Sequence, residues 1–232
     1  MAPQYSPFVY RLRLAAGLAL ALAMAGCSSK PAPLVPPTPI AGLPDKVELG
    51  GVPFYRGRDD QSAPEVLAAA LRQQGVTVTP GLVEPALKLD QQHGQLNEAI
   101  SNAAREYGMV VYPLEPKLEA LMFQVAAGFP VLVRYDEGSM FWSQPRYALL
   151  VGFDRYHKEV ILRAGEQRRL RMPISDFTSA WAKQQHWAVL VQSPRQLPAH
   201  VDATRWREAA GKLAQAGQEQ AAAQATRTLE AR

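Results

Sequence analysis

The sequence predicts an α+β protein in which helices come first and an antiparallel sheet follows. Hydrophobic residues make up 47% and charged residues 20% of the 232 positions, which is the composition of a chain that buries a core. Apolar residues recur at helical spacing in the first half, whereas short apolar runs separated by turns fill the second half. Helices and strands segregated in this way are typical of the α+β class.

The predicted helices have recognisable start and stop signals. Ser62 followed by Glu65 has the spacing of a helix N-terminus, and Gly75 closes that helix. Pro80 has the favoured place of a proline at a helix start, and Gly108 and Gly128 end two later helices. The helices are predicted at residues 62–71, 80–87, 96–104, 116–125 and 174–182.

Short apolar runs predict the strands. The run at 147–153 is continuously apolar, which is typical of a strand buried on both faces. A turn at 154–158 and the run that returns after it predict an antiparallel pair. The strands are predicted near residues 47–49, 109–112, 130–135, 147–153, 159–163, 167–172 and 187–191.

Residues 199–232 form a separate predicted segment. It is rich in Ala and Gln and predicts a helical hairpin broken near Gly217. One such pair of helices cannot bury its apolar face alone, so we expect it to dock onto the body of the protein or onto a partner. The globular domain is accordingly predicted for residues 46–198.

The charge and cysteine content exclude several classes of protein. The net charge is +4 and no concentrated basic stripe is present, so we expect no binding to nucleic acid. A single cysteine, Cys27, excludes an internal disulfide framework and cysteine-based zinc or redox motifs. The four histidines are scattered and form no metal-binding motif, so we expect neither a metal nor a cofactor.

Residues 1–26 have the pattern of a secretory signal peptide. Arg11 and Arg13 precede an apolar run that is too short to span a bilayer as a helix. The run ends in Met24-Ala25-Gly26-Cys27, which resembles the lipobox of bacterial lipoproteins. This resemblance implies that Cys27 is acylated and anchors the mature chain to a membrane. An ordinary signal peptide followed by a chance cysteine is the alternative.

Residues 27–45 are predicted to be a tether. Six prolines lie between residues 28 and 45, which favours an extended polyproline II chain. Ser28 directly after the cysteine resembles the sorting signal for the outer membrane of diderm bacteria. We therefore expect a lipid-anchored protein of the outer membrane that faces the periplasm.

Four blocks of the sequence follow one another in a fixed order. They are Val52-Pro53-Phe54-Tyr55, then Gln61-Ser62-Ala63-Pro64 opening a helix, then residues 127–133, and then the apolar strand at 147–154. This order resembles the peptidase C39-like family, whose members are papain-fold cysteine peptidases. The resemblance covers roughly residues 47–198 and implies a papain-like fold. Some members of the family are secreted lipoproteins with helical repeats at the C-terminus.

The catalytic positions of that family hold other residues here. The resemblance places Gly57 near the oxyanion-hole Gln, Ser62 at the catalytic Cys and Arg146 at the catalytic His, and residues 159–165 offer no clear Asp or Asn. Arg146 stays protonated and cannot act as a general base. The simplest role for Ser62 is that of a helix cap. The sequence therefore predicts a catalytically inactive member of the family.

The residues around these positions are candidates for a binding cleft. They are Asp59, Asp60, Gln61, Trp142 and Arg146. The two aspartates are expected either to pair with Arg146 across the cleft or to form a solvated turn. Phe141 and Trp142 would flank a groove, which suits a peptide ligand, while Tyr147 is expected in the core.

Three hypotheses follow from this pattern. In the first, the inactive domain binds a peptide or protein partner in the cleft, as non-catalytic C39-like domains of some exporters bind their cargo. In the second, the protein is an active peptidase of the family that uses Ser62 or another non-standard nucleophile. In the third, the C-terminal hairpin binds the partner and the globular domain is a spacer.

Overall fold

One antiparallel sheet with helices on both faces forms the body of the protein. The computed structural model describes residues 36–57, 62–87, 89, 95–138 and 142–232. The strands are β1 (Lys46–Glu48), β2 (Val110–Pro113), β3 (Val131–Asp136), β4 (Pro145–Asp154), β5 (Glu159–Ala164), β6 (Gln167–Pro173) and β7 (Ala188–Gln192). The helices are α1 (Ser62–Gln73), α2 (Pro80–Leu87), α3 (Leu96–Glu106), α4 (Leu118–Ala126), α5 (Ile174–Lys183), α6 (Ala203–Gln215) and α7 (Glu219–Glu230).

The last strand in the sequence, β7, lies between two earlier strands of the sheet, β2 and β3. The sheet runs β2-β7-β3-β4-β5-β6, and β1 pairs with the C-terminal part of β4. Every pair of named strands is antiparallel, which confirms the predicted α+β class. Helices α4 and α5 lie between strands, as the predicted order of elements has them, and the early strand β2 pairs with the last strand β7.

Strand β4 separates two hydrophobic clusters. Its side chains alternate between the two faces of the sheet, as the strand period of two requires. Tyr147, Leu149 and Val151 pack with α1, α2 and α3 on one face. Ala148 and Leu150 pack with the apolar side chains of α4 to α7 on the other face. The continuous apolar run at 147–153 is therefore explained by burial on both sides.

The C-terminal hairpin is part of the second cluster. The indole of Trp206 in α6 is fully buried, and its Nε1–H donates a hydrogen bond to the carbonyl of Ala225 in α7 at 2.9 Å. Gly217 takes a φ of 80° between the two helices, a value that glycine adopts without strain. The apolar face of the hairpin is thus covered by the body of the protein.

The N-terminal predictions fall largely outside the described residues. The proposed signal peptide of residues 1–26, Cys27 and the first part of the tether belong to this group. Pro36 is the first described residue, and Ile40 and Leu43 form a short bridge before β1. None of the described helices has both the length and the apolarity needed to cross a membrane.

Candidate functional site

Helix α1 and strand β4 meet at Ser62. Ser62 is the first residue of α1 and is buried. Its hydroxyl oxygen accepts a hydrogen bond from the backbone N–H of Tyr147 at 3.0 Å. The hydroxyl therefore fixes the start of the helix to the start of the strand, and the role of Ser62 as a helix cap stays a prediction. The family resemblance pairs Ser62 with Arg146, and the fold brings these two positions together.

A polar cavity opens beside this contact. Its volume is about 130 Å³, and its walls come from α1, from the ends of β3 and β5, and from the starts of β4 and β6. The residues that line it are Ser62, Tyr135, Glu137, Arg146, Tyr147, Ala164, Gly165, Glu166, Gln167 and Leu170. Two of the sequence-predicted site residues, Ser62 and Arg146, lie in this wall.

Arg146 is held in the cavity wall by a glutamate that the sequence analysis did not select. Only 9% of the arginine side chain is exposed, and its Nε donates to Glu137 Oε2 at 2.8 Å. Glu137 lies directly after β3, and Asp136↔Pro145 is the last pair of the β3–β4 register, so the antiparallel pairing brings Glu137 close to Arg146. Sequence spacing alone does not reveal this register, which is why the pair was missed.

The neighbouring strand contributes no acid to the cavity. Ala164, the last residue of β5, lines the wall that Ser62 and Arg146 also line. The residue before it, Arg163, is buried and turns to the N-terminal segment, where its Nη2 donates to the carbonyls of Leu49 and Gly50 at 3.1 and 3.0 Å. Burial lowers the pKa of Arg163.

Gly57 lies on the other side of Ser62. It lines a second, very small cavity of about 10 Å³ together with Ser62 and Glu65. Its N–H donates to the carbonyl of Gly165 at 3.2 Å. A Cβ at this position would stand 2.6 Å from Glu65 Cδ, so a larger residue here would displace the Glu65 side chain. Gly57 has therefore no backbone donor left for a ligand.

The histidines within the described ranges lie away from both cavities. His157 is in the turn after β4, with its Nδ1 2.9 Å from Asp154 Oδ2. The ring of His186 stands edge-on to Trp181 at 4.8 Å, and that of His200 packs on Phe123 at 4.5 Å. No histidine from this part of the chain can therefore serve as a base for Ser62, while His93 lies outside it.

The two described aromatic residues that were predicted near the cleft, Trp142 and Tyr147, differ in burial. Tyr147 is buried in the core as expected, with its ring edge-to-face on Trp187 and its hydroxyl donating to Asn97 Oδ1 at 2.7 Å. Burial raises the pKa of Tyr147 to about 12. Trp142 is 58% exposed on the segment between β3 and β4 and does not line the cavity wall.

A buried aspartate organises the segment that carries Glu137 and Trp142. Asp136 Oδ1 accepts hydrogen bonds from the backbone N–H groups of Gly138 and Gln144 and from the Ser143 hydroxyl. Lys183 of α5 lies 3.1 Å from the other carboxylate oxygen. Burial alone would raise the pKa of Asp136, but these donors outweigh it and lower the pKa.

Some predicted site residues lie outside the described part of the chain. Asp59, Asp60, Gln61 and Phe141 are in this group, so the predicted ion pair between the two aspartates and Arg146 stays a prediction. Within the described ranges, no group of His, Cys, Asp and Glu side chains could hold a metal ion.

Solved structures similar to this chain include two that are described as a peptidase or a peptidase domain. No protein-family profile and no curated protein matches the chain. A solved structure described as a C39-like peptidase from Bacillus anthracis shares 17% identity over 63% of this chain and 96% of its own, with a TM-score of 0.49. The peptidase domain of Streptococcus ComA, a bifunctional ABC transporter of a quorum-sensing pathway, shares 19% identity over 60% of this chain and 93% of its own, with a TM-score of 0.43. The first is described as a C39-like peptidase and the second as a peptidase domain, and neither similarity speaks about the activity of this chain.

Proposed function

We propose that this protein is a catalytically inactive, membrane-anchored lipoprotein of the C39 peptidase-like class that binds a peptide or protein partner in the periplasm. The observation that carries the proposal is that a buried arginine, Arg146, lines the cavity wall beside Ser62 where an active enzyme would need a base. A serine hydroxyl becomes a useful nucleophile only when a base within hydrogen-bond reach takes its proton. Arg146 is a cation at any working pH and cannot do so.

The surroundings of Ser62 support the absence of catalysis. Its hydroxyl oxygen is already an acceptor for Tyr147 N–H, and the Gly57 N–H is used by Gly165. An acyl-transfer site needs a donor pair that stabilises the developing oxyanion, and Gly57 cannot contribute to one. Loss of nucleophile and base together typically costs about 10⁶ in rate.

The cavity supports a role in binding. It is polar, it lies where several loops and strand ends meet, and its wall contains a buried cation beside exposed Glu166 and Gln167. A cleft of this kind, formed by a rigid sheet and the end of a helix, is where ligands are commonly bound. Because Gln167 is exposed and also lines the cavity, we expect an extended ligand to enter the cavity from the solvent at this residue.

Inactivity is tested by labelling and by peptide cleavage. Purified protein is treated with a fluorophosphonate probe and with a thiol-directed probe, and in parallel with a proteome-derived peptide library read by mass spectrometry. We expect neither a label at Ser62 nor new cleavage sites, and Ser62→Ala should behave like the wild type in both assays. A label that disappears in Ser62→Ala would show that the protein is an active peptidase.

Binding in the cleft is tested by site-specific photo-crosslinking in the native periplasm. A photoreactive amino acid replaces the exposed Gln167, which lines the cavity, and in a matched variant it replaces the exposed Arg168, which does not. We expect a crosslinked partner from position 167 and not from position 168. Crosslinks from the exposed face of α7 instead would favour the hairpin as the binding element.

The anchor is tested separately. The proposal requires that Cys27→Ala moves the protein from the membrane fraction to the soluble periplasmic fraction, and that incorporation of labelled palmitate is lost. Retention in the outer membrane after this change would contradict the lipid anchor and would leave the crosslinking result unaffected.

A further inference from the structure

Arg146 lines the cavity with a guanidinium group whose hydrogen-bond donors are only partly used by the described residues. The Nε of the arginine is occupied by Glu137. No described residue accepts a hydrogen bond from Nη1 or Nη2, and neither atom is among the buried polar atoms that lack a partner. The arginine side chain is nine-tenths buried, and the space that it lines is the 130 Å³ cavity.

The start of helix α1 lies at the same wall. The helix has 12 residues and begins at Ser62, which lines the cavity. The N-terminus of a helix carries partial positive charge and favours an anionic group. A guanidinium and a helix N-terminus that face one small cavity together form a site for an anion.

The geometry points to the carboxylate of a bound peptide as the group that this cavity holds. With Nε engaged by Glu137, the remaining edge of the guanidinium is the Nη1–Nη2 pair, whose spacing matches the two oxygens of a planar carboxylate. A volume of 130 Å³ equals roughly four water molecules at about 30 Å³ each, which accommodates a carboxylate and a short side chain.

The rim of the cavity selects against more highly charged anions. Glu137 and Glu166 are exposed carboxylates in the cavity lining. Exposed charges are screened by salt, so they tolerate a monoanion beside the buried arginine, but they repel a dianion such as phosphate more strongly. This inference rests on the proposed peptide-binding function, and the carboxylate can come from the C-terminus of the partner or from an acidic side chain.

Three small probes test the inference on the full-length protein in detergent. They are N-acetyl-Ala-Ala with a free C-terminus, the same dipeptide as its C-terminal amide, and N-acetylglutamic acid α-amide, which carries only a side-chain carboxylate. Binding is measured by isothermal titration calorimetry, and the Arg146 Nε–H resonance is followed by NMR. We expect the free acid or the side-chain acid to bind and the amide not to bind, and the stronger of the two acids identifies the source.

Variants assign the binding to Arg146. Because hydrogen bonds to charged groups are worth about 1.5–3 kcal/mol, Arg146→Gln should weaken the binding of the acid by at least roughly tenfold. Arg146→Lys should recover part of the affinity, since it keeps the charge and loses the paired donors. Arg155→Gln is the matched control, because Arg155 has the same 9% side-chain exposure and pairs with Asp45 at 2.7 Å outside the cavity lining.

The outcomes separate this inference from the proposed function. Equal binding of acid and amide, unchanged binding in Arg146→Gln, or tighter binding of inorganic phosphate would overturn the carboxylate site. Crosslinking of a partner through position 167 in any of those cases would leave the proposed function standing. Acid binding that depends on Arg146, without any crosslinked partner, would support the carboxylate site and contradict the proposed function. The acid–amide comparison needs no variant, so the test holds even if Arg146→Gln fails to fold.

Discussion

The hydroxyl oxygen of Ser62 accepts a hydrogen bond from the backbone N–H of Tyr147, a residue 85 positions away, at 3.0 Å. This contact lies at the point where the first helix meets the central strand of the sheet. It uses the side chain at the position where the family resemblance places the catalytic Cys. The serine has therefore a structural role that is independent of any chemistry.

The first prediction concerns the loss of this contact. Ser62→Ala leaves the Tyr147 N–H without its acceptor, and a buried donor without a partner costs about 1–3 kcal/mol. We expect the free energy of unfolding, measured with urea, to fall by that amount. Ser179→Ala is the control, because its hydroxyl bonds the Ser175 carbonyl on an exposed helix face. Equal effects of the two substitutions would contradict a structural role for Ser62.

The helices and strands could be predicted from the sequence because their signals are local. Apolar spacing, the turn at 154–158 and glycines such as Gly108 and Gly217 depend on neighbours in the chain, and each predicted helix has its counterpart in the structure. Pairing of β2 with β7 depends on which strand fills which edge of the sheet. No local pattern contains that information.

Within the candidate site, only the residues at the catalytic positions of the family pattern could be predicted from the sequence. Ser62 and Arg146 follow from the family resemblance, and the fold places both in one cavity wall. Glu137 and Ala164 were not selected, because their roles come from strand register and from the turn between β5 and β6. Trp142 was expected beside the cleft on sequence proximity, yet it does not line the wall.

The second prediction concerns the junction of β1 with β4. A Cβ at Gly152 would stand 2.6 Å from the carbonyl oxygen of Val47 and 3.1 Å from Glu48 Cα. Because these are backbone atoms, Gly152→Ala must displace β1, and we expect a loss of about 1–3 kcal/mol in unfolding free energy, as for other overpacked sites. Gly211→Ala in α6 meets nothing within 4 Å and should stabilise the protein by about 0.5–1 kcal/mol. The opposite ranking in thermal unfolding would contradict this packing.

The third prediction concerns the C-terminal hairpin. Its buried residues, among them Trp206, Leu213 and Ala225, belong to the same cluster as the sheet. Deletion of 199–232 should therefore give an insoluble or strongly destabilised protein, so this deletion is not a clean test of partner binding. Trp206→Ala should cost about 3–5 kcal/mol, whereas Trp142→Ala at an exposed position should change stability by less than about 0.5 kcal/mol. A stable, soluble deletion variant would show that the hairpin is dispensable for the fold.

The fourth prediction concerns acid stability. Asp154 is buried at the end of β4, where Lys46 Nζ lies 3.1 Å from Oδ2 and the backbone N–H of His157 donates to Oδ1 at 3.1 Å. Burial alone would raise the pKa of Asp154, but these partners outweigh it and lower the pKa from 3.8 to about 2.

A carboxylate whose pKa is lower in the folded state stabilises the protein above its unfolded pKa, and this stabilisation is lost as the pH falls through the folded pKa. We therefore expect Asp154 to contribute about 2 kcal/mol at neutral pH, and most of this should disappear between about pH 5 and pH 2. Urea unfolding of the wild type and of Asp154→Asn across this range measures the effect. The two curves should converge toward pH 2, because a protonated Asp154 resembles the amide in charge. A difference in stability that is constant from pH 7 to pH 2 would mean that the ionised form of Asp154 is not what Lys46 and His157 stabilise.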